Sequence, residues 1–264
     1  MKLSKKIFFG ALIAAAVAFV GCGNEGIGED SIIKASGNKA TIDYTNETDA
    51  MVRAVKPVKF EHTRSICRIT VDNVEAAGKS VIGYVFDKHT KNDVSDMYVL
   101  GLRVNEGKVE YYLSFFDEVT SEQLAENQTS FGVEYGFNGS DWVKDIKNTT
   151  ADYTALSADD TSKLVNDNKL DCYVVVDYDD ETKEFRVCIY KATAGLADID
   201  DVENLTDVQI EALQNAFVRG SVVAAKDPEN VKGEIGFYAN VVPGKTLTGS
   251  WDNTARKALE VVEE

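Results

Sequence analysis

Apolar and polar residues alternate along most of this chain. In "KVEYYLSFF" (108–116), Val109, Tyr111, Leu113 and Phe115 fall on one side and mostly polar positions on the other. A period of two marks a strand with one face buried. The same pattern runs through "SVIGYVFD" (80–87), "SDMYVLGLRVN" (95–105), "DCYVVVDY" (171–178), "EFRVCIYK" (184–191), "FVRGSVVA" (217–224) and "GEIGFYAN" (233–240). Weaker versions at 39–44, 66–73 and 245–252 add three more strands. Gly, Asn and Asp punctuate them as turn residues. With only three prolines in the chain, few of these strands are kept from inner positions of a sheet.

Helical signals are fewer. Residues 204–217 pair Thr206 with Gln209 in a capping-box pattern ahead of a rough apolar stripe (Val208, Ile210, Leu213, Phe217). Residues 119–128 offer Ser121 as an N-cap, and 157–165 read as one or two helical turns. At the C-terminus, "TARKALEVVEE" places Ala255, Ala258, Leu259 and Val262 at helical spacing, which predicts a final helix.

Two hairpins look alike. Residues 96–108 and 171–183 share Asp, Tyr, Val, Glu and Lys at a constant offset of 75. Their return strands differ: the apolar side is Val109, Tyr111, Leu113 and Phe115 in one, but Phe185, Val187 and Ile189 in the other, one position out of step. A shift of one residue reverses every side chain, so these are similar hairpins rather than an internal repeat. If the second turn copies the first, with Gly107 as its left-handed residue, Cys188 faces Val174. Cys172 is then diagonal to it on the same face, about 7–8 Å away, beyond a comfortable disulfide span. A shifted loop would pair the two.

Ten strands in long hairpins with short helical insertions predict a mainly β chain, an antiparallel β-sandwich, over 31–264 as one domain. The stretch "KGEIGFYAN" followed by "GSWDN" resembles the last strands of concanavalin-like (LamG-type) jelly rolls, through Gly233, Ile235, Gly236, Phe237, Trp251, Asp252 and Asn253. That resemblance implies a jelly-roll-like sandwich and a carbohydrate-binding or glycan-cleaving role.

The first residues carry a different pattern. Lys2, Lys5 and Lys6 precede a 14-residue apolar run, Ile7 to Val20, broken only by Gly10. A membrane-spanning helix needs about 20 residues, whereas a basic start, a short apolar centre and a small-residue end describe a secretory signal. The junction Phe19-Val20-Gly21-Cys22 resembles the lipobox of bacterial lipoproteins. The resemblance implies a signal peptide over 1–21, a lipid-modified Cys22 as the new N-terminus, and membrane attachment. Gly23 after the cysteine points to the outer membrane, on its periplasmic or surface face. Residues 22–30 read as a flexible polar tether. The hexapeptide GCGNEG (21–26) fits G-x-G-x-x-G but follows a signal rather than a strand, so it is no dinucleotide site.

Charge narrows the partners. The formal net charge is −16, and removing the three lysines of 1–21 takes it to −19 (25 basic against 44 acidic side chains). Such a surface repels phosphate backbones and anionic headgroups. Nucleic acid is therefore excluded as an expected partner, and Ca²⁺ is electrostatically acceptable. Of the four cysteines, Cys67, Cys172 and Cys188 remain if Cys22 is acylated; an odd number favours buried free thiols.

No catalytic signature stands out. Asp177, Asp179 and Glu181 alternate toward one side and are the candidate Ca²⁺ ligands or a carboxylate pair for glycan hydrolysis. A solvated acidic turn is the favoured reading. In "EYGFNGSDW" (134–142), Tyr135, Phe137 and Trp142 cluster in a glycine-containing loop beside Asn138 and Asp141. These five are the candidate ligand-binding residues: rings to stack on sugars, polar groups for hydroxyls. Packing in the core is the favoured fate of the rings. His62 and His89 lack metal-ligand spacing. "GKS" (78–80) and "GKT" (244–246) lack the upstream glycine of a phosphate loop. The resulting expectation is a lipid-anchored cell-envelope protein acting as a non-catalytic binding module for carbohydrate or protein. A glycan hydrolase of jelly-roll fold and a purely structural envelope lipoprotein are the alternatives. The Cys22→Ser variant is expected to lose both its acyl mass and its membrane association, read by intact-mass spectrometry of the membrane and soluble fractions.

Overall fold

The computed structural model describes residues 31–61, 64–125, 131–137, 142–144, 153–192, 206–227, 231 and 233–253. The signal, Cys22, the tether, His62, Asn138, Asp141 and the predicted C-terminal helix lie outside the described residues.

The chain begins with β1 (Ile33–Ser36), β2 (Lys39–Thr45), β3 (Val52–Glu61) and β4 (Arg64–Val71), then the short helix α1 (Val74–Ala77). Three long strands follow, β5 (Val81–Lys91), β6 (Val94–Asn105) and β7 (Lys108–Thr120), and then α2 (Ser121–Ala125). Next come β8 (Val133–Phe137), β9 (Trp142–Lys144), β10 (Thr154–Ala155), α3 (Ala158–Leu164) and β11 (Val165–Asn166). The last elements are β12 (Lys169–Asp179), β13 (Glu184–Lys191), α4 (Asp207–Ala216), β14 (Phe217–Ala224), β15 (Glu234–Val241) and β16 (Thr246–Asp252). One sheet runs β1-β2-β16-β4-β12-β13-β14 with β11 beside β12; the other runs β3-β15-β5-β6-β7-β8-β9 with β10 beside β7. All strand pairs are antiparallel.

The two sheets pack face to face, as the alternation predicts. Ile42, Ile69, Val174 and Phe185 from the first sheet and Tyr84, Leu100, Leu113 and Phe237 from the second belong to one buried cluster. Val109, Tyr111, Leu113 and Phe115 point into it from β7, and Phe185, Val187 and Ile189 from β13. Trp251 ties the layers together: its ring is 1% exposed and its Nε1 donates to the Gly83 carbonyl at 2.7 Å.

The second sheet is also covered on its outer face. Val55, Val85, Met97, Val99, Phe116 and Tyr238 form a separate buried cluster there, with Leu124 of α2 and Tyr153 packed on it. This face curls inward. Arg53 of β3 and Glu134 of β8 approach to 3.7 Å, although five strand spacings separate them, about 24 Å on a flat sheet.

Some local expectations change. Residues 134–137 are strand rather than loop: β8 and β9 form a hairpin with Phe137 opposite Trp142. The cap of α2 is Thr120, not Ser121, because the Thr120 hydroxyl accepts from Gln123 N while its own N–H donates to Gln123 Oε1. The β6–β7 turn uses two left-handed residues, Glu106 and Gly107. The β12–β13 connection instead spans 180–183 with Lys183 left-handed. Cys188 pairs with Val175, not Val174, so Cys172 points inward and Cys188 to the other face. Cys67, Cys172 and Cys188 are free thiols.

Gly83 and Gly101 sit directly opposite each other on β5 and β6. A methyl group on Gly101 would overlap the Tyr112 ring, and one on Gly83 would come within 3.0 Å of Tyr238. Gly101→Ala is therefore expected to lower the stability by about 1–3 kcal/mol through overpacking. Gly107→Ala meets nothing within 4 Å and strains only a φ of +75°, costing about 1–2 kcal/mol. Urea unfolding of the two variants checks the order.

Candidate functional site

Four tight turns meet at one end of the sandwich and line an open cleft of about 780 Å³. Its apolar lining is Val74, Val104, Val165 and Val242; its polar lining includes Lys79, Asn105, Asn168 and Lys245 with Glu75 and Glu106. Local bonding fixes the walls. The Asn73 side chain caps α1 by accepting from Ala76 N at 2.9 Å, and Asn168 Nδ2 donates to the same oxygen at 2.9 Å. Asn168 Oδ1 accepts from Glu75 N, and its carbonyl from Val74 N. Across the cleft, the fully buried Asn46 holds the β15–β16 turn: its N–H donates to the Lys245 carbonyl and its carbonyl accepts from Gly244 N. The Lys245 stem lies over Gly78, where a Cβ would come within 2.9 Å of its Cε. The two ammonium groups and two carboxylates balance in charge beside the apolar lining, while the Asn168 amide and the Asn105 amide donor are engaged in holding the walls. This is the chemistry of a small polyhydroxylated ligand, and the volume suits one.

Next to the cleft, the outer face of the second sheet bears a polar and aromatic network. Tyr238 lies over Gly83 and Tyr112 over Gly101, and their hydroxyls hydrogen-bond one another. Tyr153 meets Tyr112 edge-on at 4.6 Å, and the Arg103 guanidinium sits 3.3 Å above the Tyr153 ring. Arg103 Nε donates to Glu110 Oε2 at 2.7 Å, and Asn105 Nδ2 donates to Glu110 Oε1 at 2.9 Å. Ser114 Oγ donates to Glu134 Oε1 at 2.9 Å. Burial pushes the phenol pKa of Tyr112, Tyr153 and Tyr238 up, so all three stay neutral at physiological pH. Asn105 belongs to both the network and the cleft.

The residues singled out by sequence fall elsewhere. Tyr135, Phe137 and Trp142 pack against the main core at the sandwich edge. Trp142 contacts Tyr98, Phe115 and Phe137, and its Nε1 donates to the Ala224 carbonyl. The Lys226 ammonium lies 3.6 Å from the Tyr135 ring centre and 4.2 Å from that of Phe115, so an exposed lysine of the same chain sits against both rings. Asp177 pairs with Arg186 across β12 and β13. Asp179 caps the hairpin turn, accepting from Glu181 N and Thr182 N at Oδ1 and from Arg186 at Oδ2. Those turn amides hold its carboxyl below the ordinary range. Glu181 lies in the turn. The three do not gather as a Ca²⁺ site: among the described residues no three His, Cys, Asp or Glu side chains converge as a metal requires.

The cleft lysines belong to the two Gly-Lys-Ser/Thr tripeptides. In the sequence both tripeptides stood out only as lacking the upstream glycine of a phosphate loop, and only the fold brings the two turns together. Arg53 carries no motif, and its strand was not expected from the pattern.

His89 and Asp87 form a buried-edge pair where β5 bulges. Asp87 is left-handed (φ 51°) and 5% exposed; its Oδ1 accepts from Gly233 N at 3.0 Å and meets His89 Nε2 at 2.9 Å. That hydrogen bond raises the His89 pKa above its usual 6.5, against the opposing effect of burial. A raised folded-state pKa gives stability that is complete below the unfolded value and disappears as pH climbs through the folded one. Asp87→Asn keeps the left-handed turn. It is expected to return the His89 pKa toward 6.5 and to remove the part of the stability that wild type loses above that pH. Imidazole NMR titration and urea unfolding across pH check this.

No family model matches the chain, and no curated protein matches it. Among solved structures it is similar to the CBM2 module of the evolved Dit of Lactobacillus casei BL23 phage J-1: 7% identity, 84% of this chain and 72% of that one, TM-score 0.36. It is similar to a legume lectin-like domain from Entamoeba histolytica at 10% identity, 84% of this chain and 86% of that one, TM-score 0.41. The basic winged bean lectin with Tn-antigen gives 10% identity, 84% and 90% coverage, and a TM-score of 0.32. Likenesses this shallow decide neither the ligand nor the site.

Proposed function

We propose that this protein is an exported, Cys22-anchored envelope lipoprotein that binds a saccharide without cleaving it, and that the turn-walled cleft is its binding site. The observation that carries the binding reading is the cleft itself: about 780 Å³, with charge-balanced side chains beside an apolar lining. Sugars present hydroxyls that both donate and accept, so paired ammonium groups and carboxylates suit them better than a single-sign surface would. The anchoring reading rests on the apolar run and the Gly21-Cys22 junction. The polar tether that follows separates the sandwich, which starts at β1, from the bilayer.

In titrations with neutral hexose oligosaccharides, the amide resonances of Gly78, Gly107 and Lys245 are expected to move saturably. No new reducing ends are expected to appear. The double variant Lys79→Ala, Lys245→Ala is expected to weaken binding about tenfold, while exposed substitutions of this kind change stability by about 0.5 kcal/mol or less. Unchanged amide resonances across the panel would overturn the reading of the cleft.

A further inference from the structure

We infer that the saccharide taken by the turn-walled cleft is an N-acetylated amino sugar, and that the valines of the lining hold its acetyl methyl. The inference rests on the saccharide reading of that cleft and names the class of sugar.

Four separate segments each bring one branched aliphatic side chain to the cleft. Val74 comes from α1, Val104 from the end of β6, Val165 from β11 and Val242 from the turn after β15. Val104, Val165 and Val242 are only half-buried, so they still present apolar surface where they line the cleft. Among the described residues no aromatic ring lines it. That composition decides between sugars. An unsubstituted hexose offers its C–H groups as a broad face, which a flat ring matches. A wall of branched side chains has no such plane. It makes its contacts instead around a compact group, and a methyl is the smallest that gains from several such contacts at once.

An acetamido group supplies that methyl and sets an amide beside it, with one N–H to donate and one carbonyl to accept. The cleft holds both counterparts. Glu75 and Glu106 carry the acceptors, Lys79 and Lys245 the donors, and all four residues are exposed. Elsewhere charged side chains are spent on one another, as in Arg68–Asp171, Lys88–Glu234 and Arg103–Glu110. Among the described residues, these four ends make no hydrogen bond or ion pair within the chain. The acetamido group is also uncharged, so the acidic balance of the chain does not repel it. A single methyl-sized group in an apolar site changes affinity by about 10- to 200-fold, enough for the substituent to decide which sugar is bound.

The test compares three neutral β-linked trisaccharides on the full chain by calorimetry. One is the N-acetylglucosamine trimer. The second is its N-formyl counterpart, which keeps the amide and lacks the methyl. The third is the glucose trimer, with a hydroxyl in place of the amide. The N-acetyl trimer is expected to bind at least tenfold tighter than the other two. Val104→Thr, which keeps the branched shape but replaces a methyl by a hydroxyl, is expected to abolish that margin. In case Val104→Thr unfolds the chain, the unaltered protein gives an independent reading: nuclear Overhauser contacts are expected from the acetyl protons of the ligand to the methyl groups of Val104 and Val242. A margin below tenfold, a margin shared by the N-formyl trimer, a margin that survives in Val104→Thr, or the absence of those contacts overturns the N-acetyl inference and leaves the saccharide reading intact. Failure of all three trisaccharides to bind overturns both.

Discussion

The pair Gly83–Gly101 is the constraint around which the second sheet is organised. Where two adjacent strands carry no side chain at the same level, the backbone itself becomes a surface. On the outer face, Tyr238 and Tyr112 lie down on it and meet hydroxyl to hydroxyl. From the other layer, Trp251 reaches the Gly83 carbonyl. The flat tyrosines then leave space above them for Tyr153, Arg103 and the Arg53–Glu134 approach, and the curl of the sheet follows from those reaches across it. Bulk at either glycine would lift a tyrosine and, with it, the polar network beside the cleft.

Much of the fold was legible because burial on one face writes itself as alternation. The strands expected at 184–191 and 217–224 appear with those bounds, and the other eight appear with ends moved by a few residues. The capping box at Thr206 and Gln209 is present in full. What escaped has physical reasons. The strand β3 contains Pro57 and two lysines, which read as loop, yet it lies at the edge of its sheet, where a missing N–H is harmless. The hairpin β8–β9 hides behind Gly136 and Gly139. The outer cover of the second sheet was invisible because Val85, Val99 and Phe116 sit in strands that already looked half-buried; continuous apolar runs such as "VIGYVF" were the signal of burial on two faces.

The candidate site was less legible than the fold. Aromatic residues near glycines offered a ligand loop, but an aromatic ring gains as much from its own core as from a sugar, and here Tyr135, Phe137 and Trp142 are half-buried against the core beside the exposed Lys226. The cleft is made by turns distant in sequence, at residues 73–79, 105–107, 165–168 and 242–245. Turn residues are chosen for backbone geometry, so their side chains carry no periodic signal. Only the register of the strands decides that Lys79 and Lys245 share a wall.

The position of β16 has a consequence for the order of events in folding. It lies between β2 and β4, so a strand from the end of the described chain separates two from its beginning. The first sheet cannot close around its core until residues 246–252 are available, and the partners wait across about two hundred residues of intervening chain. Under the export proposed above, this late closure would keep the first sheet open while most of the chain is in transit, until residues 246–252 arrive.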